Sequence, residues 1–537
     1  MARPTAVASL VCMAAMIGAC AARPGPENPS VDPPAPPVAV VPPPAETALP
    51  TERPAADITA AVDPPRAVSP PEADVPVESD CRLVAGSGDA VRTVALRDTV
   101  DVSHAPSPTN ASERLLFRQL YETLVRVDCE GRLRPGLAAS WRLDDTGRTW
   151  IVTLDEWAEF TDGTPVTTAD VVSSWNVPGL EGVLREEARG FVESVVVVNT
   201  RVVGITLQAR STTSPRALAD PALAIARHEP GVAWPLGTTA FQVIAQRAVS
   251  SRRARDITIG PRAGRPAVAD GREPSDTVRF LVSPGMDPRD QLDEKVDLLV
   301  SRDPSVLAYA VTLPDVISVP LPWLRTHALL SPARGPVRQG TRVRSGLAPA
   351  TRQVLAIDAV RGEARGAEGP FLWESPTACA VPLPTARAPA GRREGGVGAR
   401  VVFRVSDPVA GDLAERLVGL TAFDDARTTG LLETLFPTGA ARLISAGLDD
   451  AAFEEALASG RDRGYLVGFD RRPFDPCQQL WALVRGAGWL ARTDDTLVAA
   501  VVALVDTRAR AVIRRGRAGL TVDGDGVLVL AGVRGAR

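Results

Sequence analysis

The residues best suited to chemistry are few, and their spacing argues against catalysis. The three histidines, His104, His228 and His327, are scattered along the chain, whereas metal ligands usually come as close pairs. No Walker A loop, G-x-S-x-G elbow or H-E-x-x-H helix is present. Gly395-Gly396-Val397-Gly398 lacks the pattern and the preceding strand of a nucleotide loop and reads as loop. Asp523-Gly524-Asp525-Gly526 lacks the further oxygen ligands of a calcium loop and reads as a hairpin turn. Asp144 and Asp145 precede Thr146-Gly147 and read as turn residues, not as an acid/base pair. The expectation is a binding protein, not an enzyme, with no metal and no cofactor. An exported hydrolase built from scattered residues ranks third among the readings.

The six cysteines carry a different message. Arg3 is followed by an apolar run from Ala6 to Ile17, too short to span a bilayer permanently. It ends in Ile17-Gly18-Ala19-Cys20, which resembles the lipobox of bacterial lipoproteins, cut before a cysteine that receives lipid. Residues 1–20 are thus expected to be a lipoprotein signal, with Cys20 as the lipid attachment point on the extracytoplasmic face of the membrane. Two acyl chains suffice for stable anchoring. Cys12 leaves with the signal. Cys81, Cys129, Cys379 and Cys477 remain, an even number outside the cytosol. Pairing within each half of the chain favours Cys81–Cys129 and Cys379–Cys477; free buried thiols are the other reading.

Residues 21–80 hold 17 of the 48 prolines and no aromatic residue. Such a polymer cannot bury enough apolar surface to fold and tends toward polyproline II, so a disordered stalk is expected. The remainder has ordinary globular composition: over the whole chain, 45% of residues are hydrophobic and 23% charged. The formal net charge of −4 argues against nucleic acid as the main partner.

Elements that could position a binding site begin after Ser107. Asn110 with Glu113 has the form of a capping box, and Leu116, Leu120, Leu124 and Val127 fall on one helical face. Asp144–Gly147 reads as a hairpin turn leading into a strand over Thr149–Leu154. Thr167 or Thr168 is placed to cap a helix starting near Ala169.

Within this stretch Tyr121-Glu122-Thr123-Leu124-Val125, Pro135-Gly136-Leu137-Ala138-Ala139-Ser140-Trp141 and Phe160 to Trp175 follow one another in fixed order. The order resembles the extracellular solute-binding proteins of family 5, the oligopeptide, dipeptide and nickel binders that serve ABC importers. Weaker matches follow at Pro235–Phe241, Lys295–Leu299, Arg342–Asp358 and Phe453–Pro476. Two features depart from the family. Gly362 to Ala399 looks loop-like, and only seven residues follow Leu530, where relatives have a longer segment returning to the first lobe.

The resemblance implies an α/β fold: a two-lobed periplasmic-binding-protein type II architecture with the extra subdomain of peptide binders. The expected organisation is lobe I from 81–110 and 207–325, an inserted subdomain at 111–206, and lobe II over 326–537. The implied partners are a peptide or other small solute and ABC permease subunits, with the protein itself a monomer. The alternative is a diverged lipoprotein of this fold with a sensory or structural role. By the same resemblance, Asn110 lies where the chain passes the ligand cleft and Arg325 near a crossing between lobes. Relatives that bind peptides grip the ammonium end with an aspartate in the loop before an Asp-Pro pair. Taking Asp475-Pro476 as that pair puts Arg472 at the gripping position, with Asp470 two residues away and Phe469 as an apolar wall. A guanidinium repels an ammonium and prefers carboxylate or phosphate. The expected ligand is therefore anionic or blocked at its amino end.

Overall fold

The computed structural model describes residues 81–84, 87–178, 180, 182–208, 214–248, 253–262, 277–332, 347, 349–359, 364–367, 399–422, 442–470, 487 and 501–530. Three sheets organise them into two lobes and a subdomain.

The first lobe is built on an eight-stranded sheet. At its centre Thr93–Leu96 runs parallel to Val278–Val282 on one side and Leu298–Ser301 on the other. Both faces of a central parallel strand are covered, which is why Leu298-Leu299 and Val94-Ala95-Leu96 are apolar runs rather than alternations. Helices Pro288–Asp293 and Pro304–Thr312 cover one face, packing Leu292, Val306, Leu307 and Ala310 over Ala95, Leu299 and Val512. Each starts with an aspartate cap and a proline, Asp287-Pro288 and Asp303-Pro304. The carboxylate accepts from an orphan N–H and the proline lacks one.

The second lobe has a six-stranded sheet ordered Ala364–Gly366, Val501–Thr507, Arg325–Leu330, Gly464–Asp470, Ala399–Arg404, Leu443–Leu448. Leu413 and Leu417 of helix Pro408–Ala422 pack with Leu355, Val401, Leu466 and Leu504 in its core.

The subdomain carries a four-stranded antiparallel sheet, Ala138–Leu143, Thr149–Leu154, Val202–Leu207, Val192–Val197. Thr149–Leu154 alternates half-buried and buried, the two-residue period of a strand with one face on a core. Asp144 accepts from the N–H groups of Arg148 and Thr149 at 2.9 and 3.0 Å, so it is a turn residue. Thr167, not Thr168, caps the helix Thr168–Trp175, in a reciprocal capping box with Asp170.

Three sequence expectations change. The helix read through Leu124 and Val127 ends at Phe117, and Val125–Val127 is a strand paired with Leu133–Pro135. All four periodic residues are buried, but in successive elements, because β-branched Val125 and Val127 find a strand partner nearby. Of the capping box at Asn110, one half forms: Asn110 accepts from Glu113 N, while the Glu113 carboxylate turns to Asp101 N, Thr109 and His104. The largest change is at the C-terminus. The second lobe does not run through 326–537, and a closing segment does return to the first lobe. Arg510–Arg514 inserts between Leu298–Ser301 and Val316–Pro320, and a hairpin of Leu520–Val522 with Leu528–Leu530 follows it. Leu83 N donates to Leu520 O and Val522 N to Cys81 O, so the first described residues pair with this hairpin.

Cys81 and Cys129 form a disulfide, with their Cα atoms 5.8 Å apart. Cys20, Cys379, Cys477 and the stalk lie outside the described residues.

Candidate functional site

Two short crossings join the lobes. Leu321–Leu324 leads from Val316–Pro320 to Arg325–Leu330, and Arg508-Ala509 leads from Val501–Thr507 back to Arg510–Arg514. Leu321 N donates to Ala509 O at 2.9 Å, tying one crossing to the other. The Arg508 guanidinium lies 4.4 Å from the Trp323 ring centroid and that of Arg365 5.2 Å, a cation–π arrangement on both charges.

Arg325 opens the strand after the first crossing, directly opposite Asp470 at the end of Gly464–Asp470. Its Nη1 donates to Asp470 Oδ1 at 3.0 Å and its Nη2 to Asp407 Oδ2 at 2.9 Å. Asp407 begins the helix Pro408–Ala422, and its Oδ1 accepts from Ala410 N at 3.1 Å. His327, fully buried and two residues along the strand from Arg325, brings Nε2 to 3.2 Å from Asp407 Oδ2. Gly468 makes room for this arrangement. A Cβ there would stand 2.5 Å from Nε and from Nη2 of Arg325.

The first lobe adds two more cations. Arg302 directly follows strand Leu298–Ser301, and its Nη2 stands 3.6 Å from Asp470 Oδ1, across the lobes. Arg114, in the helix Ala111–Phe117, also acts electrostatically on Asp470. Burial pushes both carboxylates toward protonation, but the cations prevail. His327 and Arg325 hold Asp407 well below the ordinary carboxylate range, and Arg325, Arg302 and Arg114 do the same for Asp470. Burial works against the charge of Arg325 as well, and Asp470 and Asp407 more than offset it. At Arg302 burial wins, and its pKa falls below the usual guanidinium value despite Asp470.

The structure therefore brings Arg325 and Asp470 together and commits them to each other. Asn110 has both polar ends of its side chain in use, Oδ1 accepting from Glu113 N and Nδ2 donating to Thr99 O at 2.9 Å each. Phe469 pairs across to Thr326; neighbours on a strand alternate faces, which puts its ring on the other side of the sheet from the Asp470 carboxylate. Arg472 lies outside the described residues. Sequence reading missed Asp407, His327, Arg302 and Arg114 as site residues. Asp407-Pro408 does carry a helix-start signature; nothing local marks Arg114. Among the described residues no group of three or more His, Cys, Asp or Glu is placed to hold a metal ion, and no helix is long and apolar enough to cross a membrane.

Residues 132–249 match the family described as bacterial extracellular solute-binding proteins, family 5. Over that segment the chain is similar to the family. Among curated relatives, the periplasmic murein peptide-binding protein MppA of Escherichia coli K12 is 43% identical over 60 residues, 11% of each chain. The periplasmic oligopeptide-binding protein OppA of Haemophilus influenzae is 44% identical over 57 residues, 11% of this chain and 10% of that one. These alignments span only about a tenth of each relative's length. The fold likeness extends much further. NikA from Brucella suis, solved with Fe(III)-EDTA, superimposes with a TM-score of 0.55 over 82% of this chain and 99% of its own, at 14% identity. A dipeptide-binding protein from Pseudoalteromonas sp. SM9913, solved with Met-Leu, gives 0.54 over 83% and 100%, at 13% identity. In this fold, glycines of two sequence motifs have a steric role. Gly136 lies against the Thr123 carbonyl and Gly237 against that of Leu120, too close for any Cβ.

Proposed function

We propose that this protein captures a peptide or related solute between its two lobes and delivers it to an ABC permease, while lipid on Cys20 holds it at the extracytoplasmic membrane face. The observation that carries the reading is the charged crossing. Arg325 and Asp470 on one lobe and Arg302 on the other meet where two short connections allow the lobes to move. Ligand contacts made only in the closed state shift the population toward it. Relatives solved with a metal chelate and with a dipeptide support a small polar solute as the cargo class. The Arg472 position argues for an anionic or amino-blocked member of that class.

The test is small-angle scattering on the full chain with pools of free, N-acetylated and C-amidated peptides, preceded by mass spectrometry of whatever co-purifies. Compaction with at least one pool is expected; absence of compaction with any tight ligand sinks the transport reading. Cys20→Ala should release the protein from membranes, and full retention would refute the anchor.

A further inference from the structure

We propose that Arg302 and Arg114 form an oxyanion subsite on the first lobe, which takes a carboxylate or phosphate group of the captured solute. The inference rests on the solute-capture reading and names the chemistry of one end of the cargo.

Asp470 is acted on by Arg325, Arg302 and Arg114, and Asp407 by His327 and Arg325. Both carboxylates are already engaged by Arg325, at 2.9 and 3.0 Å. The Arg302–Asp470 separation of 3.6 Å exceeds direct hydrogen-bond length. Among the described residues, the Nε atoms of both Arg302 and Arg114 are buried with no hydrogen-bond acceptor. Buried donors are nearly always satisfied, so these two atoms, on arginines that both act electrostatically on Asp470, point to an acceptor that arrives from outside. The guanidinium fork suits an oxyanion, which it can hold through two parallel N–H groups. An ammonium in the same place would meet Arg302 and Arg114, and find Asp470 already shared. An oxyanion would also offset repulsion between the first-lobe arginines and Arg325 of the second lobe, so its binding favours approach of the lobes.

The test is thermal unfolding of the full chain titrated with glutarate, inorganic phosphate and 1,5-diaminopentane, each against potassium chloride at matched ionic strength. Saturable stabilisation by glutarate or phosphate is expected, and none by the diamine. The stronger of the two anions identifies the group. Arg302→Gln and, independently, Arg114→Gln should weaken the response by about tenfold or more, while Arg302→Lys retains part of it; circular dichroism checks that each variant is folded. An unchanged response in both folded Gln variants overturns the subsite. So does stabilisation by the diamine, or no anion response beyond that to chloride. The two ideas fail separately. Lobe closure on C-amidated peptides with no anion response keeps solute capture and removes the subsite. An Arg302-dependent anion response without closure on any peptide does the reverse.

Discussion

Two arginines in this protein each sit between two aspartates, and the surroundings give them different tasks. Arg118 pairs with Asp523 at 3.1 Å and Asp525 at 3.2 Å, with side chains 9%, 3% and 5% exposed. It joins the end of the helix Ala111–Phe117 to the C-terminal hairpin, both in the first lobe. Gln119 reinforces that joint, donating to Leu528 O and accepting from Leu530 N. Arg325 pairs with Asp407 and Asp470 at similar distances, but its side chain is 23% exposed and that of Asp470 33%. Around Arg118 the further charge is Asp220, another acid; around Arg325 the further charges are Arg302 and Arg114. The same triad is acid-rich where it closes a core and base-rich where it faces the gap between lobes. A buried lock needs only its own cation. A binding site can carry a surplus that a ligand neutralises.

The largest effect should come from breaking the lock. Arg118→Ala removes the cation shared by two almost fully buried carboxylates, a loss of about 3–5 kcal/mol, read as a lowered denaturation midpoint. Neutralising both partners in the same background, with Asp523→Asn and Asp525→Asn, should recover part of it. Arg325→Ala should cost less, about 2 kcal/mol, because its partners are more exposed than Asp523 and Asp525 and still face Arg302 and His327. An Arg325→Ala loss equal to that of Arg118→Ala would erase the distinction between lock and site.

Acid titration sharpens the comparison. Despite burial, Asp407 and Asp470 are held below their ordinary values by His327 and Arg325, and by Arg325 with Arg302 and Arg114. A depressed carboxylate contributes stability that is complete above its unfolded value, near pH ~4, and is lost as pH falls through the folded value. The midpoint should therefore fall with pH below about 4, and fall less steeply in Arg325→Ala. Other depressed carboxylates, such as Asp128 at about 2 and Asp287 at about 2, act in both proteins and cancel in the difference. Identical slopes would show that the Arg325 cluster plays no part in acid unfolding.

The sequence revealed local devices and hid long-range ones. The Asp144 turn, the Thr167 cap and the strand Thr149–Leu154 are written in neighbouring residues, because their partners lie a few positions away. The strand Arg510–Arg514 is not, because it pairs with residues about 200 positions earlier, which no local period records. The site divides in the same way. Arg325 and Asp470 were reached through family resemblance. Arg302 owes its importance to where a strand of the other lobe ends, and Arg114 to a helix in the first lobe. Asp407 before Pro408 carries a local helix-start signal that the structure uses; that its second oxygen meets Arg325 and His327 depends on packing alone.

The smallest expected effect tests how Arg325 is held. Gly468 pairs with His327 across the strands, and the Arg325 guanidinium lies over it. Adding a methyl group in Gly468→Ala meets the far end of a flexible side chain, so the guanidinium moves rather than the backbone. The movement weakens charge-assisted hydrogen bonds to Asp407 and Asp470 without burying a new charge, and should cost about 1 kcal/mol. If that account is correct, the cost depends on Arg325 being present. In the Arg325→Ala background no guanidinium crosses Gly468, and Gly468→Ala should become nearly neutral, leaving a coupling of about 1 kcal/mol in a double-mutant cycle. The lock around Arg118 should show no coupling to Gly468→Ala. An equal penalty in both Arg325 backgrounds would place the strain in the strand itself and leave the Arg325 cradle without a role.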